Sequence, residues 1–111
     1  MAVEVLIRRK IQETKLNEVS PLLVKLRSLA MIQPGYISGE TLHCIDPPGR
    51  SECLVRSTWN SVQDWQKWLN SPKRAAFNDQ VEQLSLEEAE YVIYEPLVSG
   101  IIAVPTGPSE K

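Results

Sequence analysis

Apolar positions recur along this chain with two different periods, which divide it into predicted strands and helices. Alternation of apolar and polar residues, or a high density of Val, Ile and Tyr, predicts strands at residues 3–11, 35–45, 51–59 and 88–97. Helical spacing predicts a first helix that begins near Asn17 or Ser20 and ends before Pro34, with Pro21 in its first turn. With a second helical segment before the last strand, the order is β-α-β-β-α-β, which is typical of a ferredoxin-like α+β fold with an antiparallel sheet.

The second helical segment, residues 61–84, is predicted to be two helices rather than one. Ser61 followed three residues later by Asp64 resembles a capping box, with Asp in place of the usual Glu or Gln. Ser71 is suited to cap the second helix, and Pro72 suits its first position because the missing N–H costs nothing there.

Helical spacing also assigns the faces of this broken segment. Trp65 and Trp68 share an apolar stripe and are expected to fill the core between helices and sheet. Lys67, Lys73 and Arg74 are interpreted as a solvated face.

The sheet itself predicts a homodimer, because two helices cover only one face of four strands. Alternation places Tyr36, Leu42 and Cys44 on one face of the second strand, opposite Ile37, Thr41, His43 and Ile45. Neither face is cleanly polar, and a mixed face of this kind is more usual at a protein contact than in water. We therefore expect residues 1–98 to form one dimerising domain. In the tail, residues 99–111, the apolar stretch 101–104 is expected to add an edge strand to the partner, and residues 106–111 are expected to be disordered.

Composition limits the possible classes of function. A length of 111 residues allows one domain with a modest core. The net charge of −2 predicts neither a nucleic-acid partner nor an anionic membrane partner. No apolar run has the length of a membrane span, and the N-terminus lacks a signal-peptide pattern, so a cytoplasmic location is expected.

The cysteines, Cys44 and Cys53, predict no metal site, because with His43 as the single histidine they fit no common zinc spacing. If the second and third strands form a hairpin, the two cysteines are expected to face each other. A disulfide is then possible, but reduced thiols are favoured in a cytosolic protein.

The stretch 53–78 carries a resemblance to a known family. A strand that ends in Trp59-Asn60-Ser61, an aromatic at Trp65, and Trp68-Leu69-Asn70-Ser71 before an amphipathic helix resemble the antibiotic-biosynthesis monooxygenase family. That family includes quinol monooxygenases and the Isd-type heme-degrading enzymes, and the resemblance extends over roughly residues 3–97. It implies a dimeric α+β barrel, in which two sheets pack face to face. It also implies cofactor-independent oxidation of a quinol or polycyclic phenol by O2.

The resemblance also implies two catalytic candidates, Trp59 and Asn78. It places Trp59 beside the bound substrate, although a Trp at such a corner is also a common core residue whose N–H is satisfied. Asn78 stands where the heme-degrading enzymes carry an iron-ligating histidine, and this departure argues against heme degradation because an amide is a poor heme ligand. Asn78 would instead hydrogen-bond the substrate, or be an exposed helix residue.

Further candidates are expected to bind a small aromatic substrate: Arg56, Tyr36, Tyr91, His43 and Phe77. An arginine or tyrosine can steady a phenolate, and a histidine can act as a base near neutral pH. Each also has a structural interpretation, as an ion pair, a packing residue or an exposed side chain. No flavin or nicotinamide fingerprint is present, so no cofactor is expected. The alternative function is a non-catalytic module that binds small aromatics, or that binds heme through His43.

Overall fold

The computed structural model describes residues 1–98 and contains seven regular elements besides a 3₁₀ turn at Glu13–Lys15. They are β1 (Val3–Lys10), α1 (Leu16–Met31), β2 (Tyr36–His43), β3 (Glu52–Trp59), α2 (Val62–Leu69), α3 (Pro72–Gln83) and β4 (Glu90–Tyr94). The order confirms the predicted β-α-β-β-α-β pattern, with the second helical segment divided as expected. The tail predicted for residues 99–111 lies outside the described residues.

The four strands form one antiparallel sheet in the order β2-β3-β1-β4, which confirms the ferredoxin-like α+β fold. β1 lies in the middle of the sheet, and its side chains alternate between buried and less buried. Val5, Ile7 and Trp59 belong to the buried set, which packs against Val19 of α1 and Val81 of α3. The helices therefore cover one face of the sheet, and the core lies between the two layers.

Both predicted caps of the broken helix are present. The Ser61 hydroxyl accepts a hydrogen bond from the Asp64 N–H at 3.1 Å, and the Ser71 hydroxyl accepts one from the Arg74 N–H at 3.3 Å. Pro72 is the first residue of α3. Local chemistry thus fixes where the segment divides, because each serine satisfies a backbone N–H that the helix leaves free.

The start of α1 agrees with the predicted start near Asn17 to within one residue, but the position of Pro21 in the helix differs from the prediction. The helix begins at Leu16, so Pro21 is its sixth residue and lies beyond the first turn. Val19 is fully buried and Leu16 packs against the core, so tertiary packing extends the helix toward the N-terminus. Pro21 is tolerated because it lies on the exposed side, where water can satisfy the carbonyl that its missing N–H leaves free.

Strand β2 also departs from simple alternation. Its pairing with β3 shifts between Tyr36 and Ser38, as at a β-bulge. Tyr36 pairs with Trp59, and Thr41 pairs with Val55, so Tyr36 and Thr41 share the face that the helices cover. The predicted grouping of Tyr36 with Leu42 is therefore wrong, because the irregularity reverses the alternation after Tyr36.

The two cysteines do not face each other as predicted. Cys53 pairs with His43, whereas the Cys44 N–H donates to the Glu52 carbonyl at 3.0 Å. This one-residue offset places the two side chains on opposite faces of the hairpin. Both cysteines are free thiols in this structure.

The sheet face away from the helices, called the open face here, includes Glu4, Leu6, Arg8, Leu42, Leu54, Arg56 and Val92. Two arginine-centred groups dominate it. Arg8 contacts Glu52 at 3.2 Å and Glu90 at 3.1 Å, and Arg56 contacts Glu4 and Glu40. The face is mixed, as predicted. Within residues 1–98, no helix has both the length and the apolar character needed to cross a membrane.

Candidate active site

A small cavity lies between the helices and the covered face of the sheet. This inner cavity has a volume of about 50 Å³, enough for a few water molecules. Its wall includes Tyr36, Trp59, Trp65, Trp68, Arg9 and Arg74. A wall of aromatic rings with a few polar groups is typical of a small-molecule site.

A wider groove of about 440 Å³ lies between α1 and β2 and is called the outer groove here. It shares four wall residues with the inner cavity: Leu23, Arg27, Glu40 and Thr41. The shared wall places the groove directly beside the cavity, on the side of the edge strand. A ligand larger than the inner cavity therefore has a continuous surface on which to extend.

The aromatic wall is a chain of four rings in contact. Tyr36 meets Trp59 edge-to-face with ring centroids 5.3 Å apart, Trp59 meets Trp65 at 5.8 Å, and Trp65 meets Tyr91 at 6.2 Å. Trp59 is fully buried, and its indole N–H donates to the Ser57 hydroxyl at 2.9 Å. The indole is thus held at both its ring and its N–H, and its N–H is not available to a ligand.

Gly39 gives Tyr36 the space for this arrangement. A Cβ at Gly39 would lie 2.7 Å from the Tyr36 hydroxyl and 2.8 Å from the Arg56 carbonyl oxygen. Both distances are too short for real side-chain contacts. The tyrosine therefore lies across the strand at the one position that has no side chain.

Arg9 is a buried cation beside the cavity. Its side chain is 2% exposed, and its Nη1 and Nη2 donate to Glu82 at 3.2 Å and to Asn78 at 2.8 Å. Within the described chain, its Nε is buried without a hydrogen-bond partner. Burial lowers the pKa of Arg9, but an arginine starts so high that the group stays charged at neutral pH.

Arg74 is a second buried cation, and the prediction that it lies on a solvated face is wrong. It is 5% exposed, and its Nη2 donates to the Tyr91 hydroxyl at 2.8 Å. Its guanidinium carbon lies 5.6 Å from the Trp65 ring centroid and 5.3 Å from that of Tyr91, within the range of cation–π contacts. Within residues 1–98, no carboxylate comes within 4.0 Å of it.

The burial of Arg74 could have been predicted from helical spacing, although its charge favoured an exposed position. Arg74, Asn78 and Val81 are spaced at i, i+4 and i+7, so they share one side of α3. Val81 is fully buried, which turns that whole side toward the sheet. Arg9 carried a similar signal, because it alternates in phase with Val5 and Ile7 on β1.

The two predicted catalytic candidates, Trp59 and Asn78, differ in their position relative to the inner cavity. Trp59 forms part of the cavity wall. Asn78 is half-buried on α3, and its side-chain oxygen accepts the hydrogen bond from Arg9. Tyr36 lines the cavity, and Tyr91 joins it through contacts with Trp65 and Arg74. The fold thus brings Trp59, Tyr36 and Tyr91 together, whereas Asn78 is connected to the cavity only through Arg9.

Two other predicted binding residues, Arg56 and Phe77, do not direct a free polar group or ring into the cavity. Arg56 borders the cavity, but its guanidinium is committed on the open face to Glu4 and Glu40 at 3.2 and 3.0 Å. Phe77 is half-buried against the core, with the Lys25 ammonium 5.8 Å from its ring centroid.

The alternative of heme binding through His43 gains no support from the structure. His43 lies at the exposed end of β2, with Nε2 3.1 Å from a Glu13 oxygen, and is not part of the cavity wall. Asn78 offers an amide already bonded to Arg9, so these residues do not fit heme. Within the described residues, no three His, Cys, Asp or Glu side chains are grouped as a metal site requires.

Comparison with known proteins supports the family resemblance. The family model for antibiotic biosynthesis monooxygenase matches residues 2–80. Comparison with curated protein sequences finds no match.

Solved structures share the fold at low sequence identity. Rv0793 of Mycobacterium tuberculosis is 17% identical, with a TM-score of 0.78 over 91% of this chain and 100% of that chain. SnoaB of Streptomyces nogalater, a cofactor-independent oxygenase, is 14% identical, with a TM-score of 0.77 over 88% of this chain and 95% of that chain. A conserved protein of Methanosarcina mazei Go1 is 15% identical, with a TM-score of 0.77 over 85% of this chain and 91% of that chain. At these identities the likeness establishes the fold alone.

Proposed function

Because the chain belongs to the antibiotic biosynthesis monooxygenase family, we propose that it is a cofactor-independent monooxygenase that oxidises a quinol or polycyclic phenol with O2. One observation carries this proposal. The buried Trp59 ring forms part of a cavity that also contains two buried guanidinium groups, those of Arg9 and Arg74. Such a site suits an aromatic ring that becomes negatively charged. The structural neighbour SnoaB is itself a cofactor-independent oxygenase, which supports the same class of reaction.

The size of the site sets how the substrate binds. The inner cavity of about 50 Å³ is too small even for one whole aromatic ring, so the proposed substrate lies along the outer groove and reaches toward Trp59 with the edge of its reacting ring. The aromatic wall supplies the apolar contact at that edge. It also excludes water from the reacting ring, which strengthens every charge interaction there.

The proposed chemistry takes all of its electrons from the substrate. The ionised phenol gives one electron to O2, and the resulting phenoxyl radical and superoxide combine to form a carbon–oxygen bond at the ring. Loss of the proton on that carbon and cleavage of the O–O bond then leave a new carbonyl and release one water. A phenol thus becomes a quinone, and O2 supplies one oxygen to the product and one to water. No external reductant is required.

The residues contribute by binding and by electrostatics. Arg9 and Arg74 stabilise the phenolate, because a cation in a dry site favours the ionised form of a nearby phenol. Asn78 does not line the cavity; it contributes by fixing the position of Arg9 through its side-chain oxygen. Trp59 and Tyr36 hold the ring in place.

We also propose that the protein is a homodimer built through the open face. Leu6, Leu42, Leu54 and Val92 lie on that face among the arginine–glutamate groups. Leu42 is 43% exposed, so part of this apolar surface is in contact with water in the single chain. Packing against a second copy removes it from water, and the arginine groups remain paired within each sheet. Concentration-dependent sizing tests this, and a protein that stays monomeric at high concentration would contradict it.

Oxygen uptake tests the enzymatic proposal. The protein is mixed with a panel of phenols and quinols, including menadiol, and uptake is measured against a protein-free blank that corrects for autoxidation. We expect catalysed uptake with at least one compound. Trp59→Phe should lower the rate while preserving a ring, and Lys73→Gln on the exposed side of α3 is the matched control.

Two results would contradict the proposal. One is binding of a polycyclic aromatic without catalysed oxygen uptake, which would favour the non-catalytic binding module. The other is full activity in both Trp59→Phe and Trp59→Leu, provided that both variants fold.

A further inference from the structure

The wall of the inner cavity has an unbalanced charge. Four of its residues are arginines, Arg9, Arg27, Arg56 and Arg74, but the guanidinium of Arg56 is paired with Glu4 and Glu40 on the open face and adds no charge to the cavity. Among the residues that the structure describes, Glu40 is the only acidic residue in that wall, and its carboxylate is bonded to Arg56 at 3.0 Å. The cavity therefore lacks an available negative group of its own.

Two of these arginines, Arg9 and Arg74, are buried, and within residues 1–98 only Arg9 has a carboxylate partner. Arg9 pairs with Glu82, whose side chain is 28% exposed, and Arg74 pairs with none of the carboxylates in residues 1–98. Burying a guanidinium without a full complement of partners is costly, and proteins rarely keep such a group without a use for it. An anion from outside would remove that cost.

The Nε of Arg9 gives a second and independent indication. It is a donor on a side chain that is 98% buried, and in the described chain it has no hydrogen-bond partner. Buried donors are nearly always satisfied, so an unpaired one beside a cavity indicates a missing acceptor. A charged oxygen on a ligand is the strongest acceptor for this group.

The surroundings decide what carries that oxygen. Trp59 and Trp65 line the cavity, and the Arg74 guanidinium lies against the rings of Trp65 and Tyr91. Trp59 and Trp65 are already almost fully buried, but Tyr91 is 38% exposed beside them. A flat aromatic anion can add its ring to this aromatic group while its charged oxygen reaches the arginines, which a small inorganic anion cannot do.

From these observations we infer that Arg9 and Arg74 form an anion site, and that the protein selects planar aromatic monoanions whose ionised oxygen, a carboxylate or a phenolate, lies between the two guanidinium groups. This deepens the proposed function and rests on it for the nature of the ring. It adds that the anionic form is what binds, so that charge and not only shape selects the substrate.

Calorimetric titration with a matched pair of probes tests the inference. The probes are 2-naphthoate and 2-naphthamide, which have nearly the same shape and differ by one charge. With the wild-type protein we expect naphthoate to bind about tenfold to a hundredfold more tightly than naphthamide, as one or two hydrogen bonds to a charged group predict. Equal affinities, or no naphthoate binding at millimolar concentration, would overturn the inference.

Variants then identify the groups responsible. Arg9→Met and Arg74→Met should each remove most of the preference for naphthoate and leave the naphthamide affinity nearly unchanged. Lys73→Met removes the same charge from the neighbouring exposed position and should keep the preference. An equal loss in Lys73→Met would show a general charge effect and refute the assignment. If Arg9→Met does not fold, the affinities of the wild-type protein for the two probes still test the inference. The conservative variant Arg74→Lys, which keeps the positive charge, tests it as well.

The same titration separates this inference from the proposed reaction. Naphthoate binding that depends on Arg9, in a protein without catalysed oxygen uptake, supports the anion site and contradicts the monooxygenase. Oxygen uptake combined with equal affinities for the two probes supports the enzyme and overturns the anion site.

Discussion

Replacing Gly39 by alanine tests whether the aromatic wall depends on the empty position beneath Tyr36. Elsewhere in a strand, Gly→Ala usually stabilises a protein by about 0.4–1 kcal/mol, because alanine restricts the unfolded chain. Here the added Cβ would lie 2.7 Å from the Tyr36 hydroxyl, 2.8 Å from the Arg56 carbonyl oxygen and 3.2 Å from the Ser57 Cβ. The tyrosine can move, but the backbone carbonyl of the paired strand cannot move easily.

The expected result is a net loss of stability. Overpacking of this kind costs about 1–3 kcal/mol, so a central value of about 2 kcal/mol against an entropic gain of about 0.7 kcal/mol leaves a net loss of about 1.3 kcal/mol. With a urea slope of about 1–3 kcal/mol per molar for a small domain, the midpoint of unfolding should fall by roughly 0.5–1 M. Urea unfolding followed by tryptophan fluorescence measures it, because Trp59 lies directly against Tyr36.

A double-mutant cycle identifies the atom responsible. Tyr36→Phe removes the hydroxyl that the new methyl would meet, so Gly39→Ala should cost less in that background by about 0.5–1 kcal/mol. The cost should not vanish, because the Arg56 carbonyl remains. Additive effects within about 0.3–0.5 kcal/mol, or a stabilising Gly39→Ala, would refute the assigned position of Tyr36.

Three further outcomes are expected. Ser61→Ala should destabilise the protein by about 1 kcal/mol, because it removes the acceptor that caps α2, and an unchanged thermal midpoint would contradict this. His43→Gln should leave oxygen uptake unchanged, because the imidazole contacts Glu13 outside the cavity wall; a tenfold lower rate would restore it as a catalytic candidate. Burial raises the pKa of the Cys53 thiol, so a thiol reagent at neutral pH should modify Cys44 first, and Cys53 only after unfolding. Equal rates by mass spectrometry would be inconsistent with that burial.

The sequence predicted the elements well where a local rule decides them. The two serine caps and Pro72 divide the second helical segment at the expected residues, since capping involves groups only a few positions apart. The strand order could be inferred from the β-α-β-β-α-β pattern. The position of Pro21 in α1 was misjudged, because packing of Val19 outweighs the preference of Pro21 for a first turn.

The candidate site was predicted only in part. Trp59, Tyr36 and Tyr91 were identified, and they do meet in one aromatic group. Arg74 was predicted to be exposed to solvent, because arginine is rarely buried and the residues that stabilise the buried guanidinium are distant in sequence. Tyr91 is 17 residues away and lies on the far edge strand.

By itself the sequence determined the order of the elements, the places where helices begin and break, and the stripe of tryptophans that must be buried. These depend on hydrophobic period and on contacts within a few residues. Only the tertiary structure decided that a bulge turns Tyr36 toward the helices and that Arg9 and Arg74 lie inside the protein. Both outcomes depend on pairing between distant strands and helices, where one shift of register reverses a face and a partner far along the chain makes a buried charge tolerable.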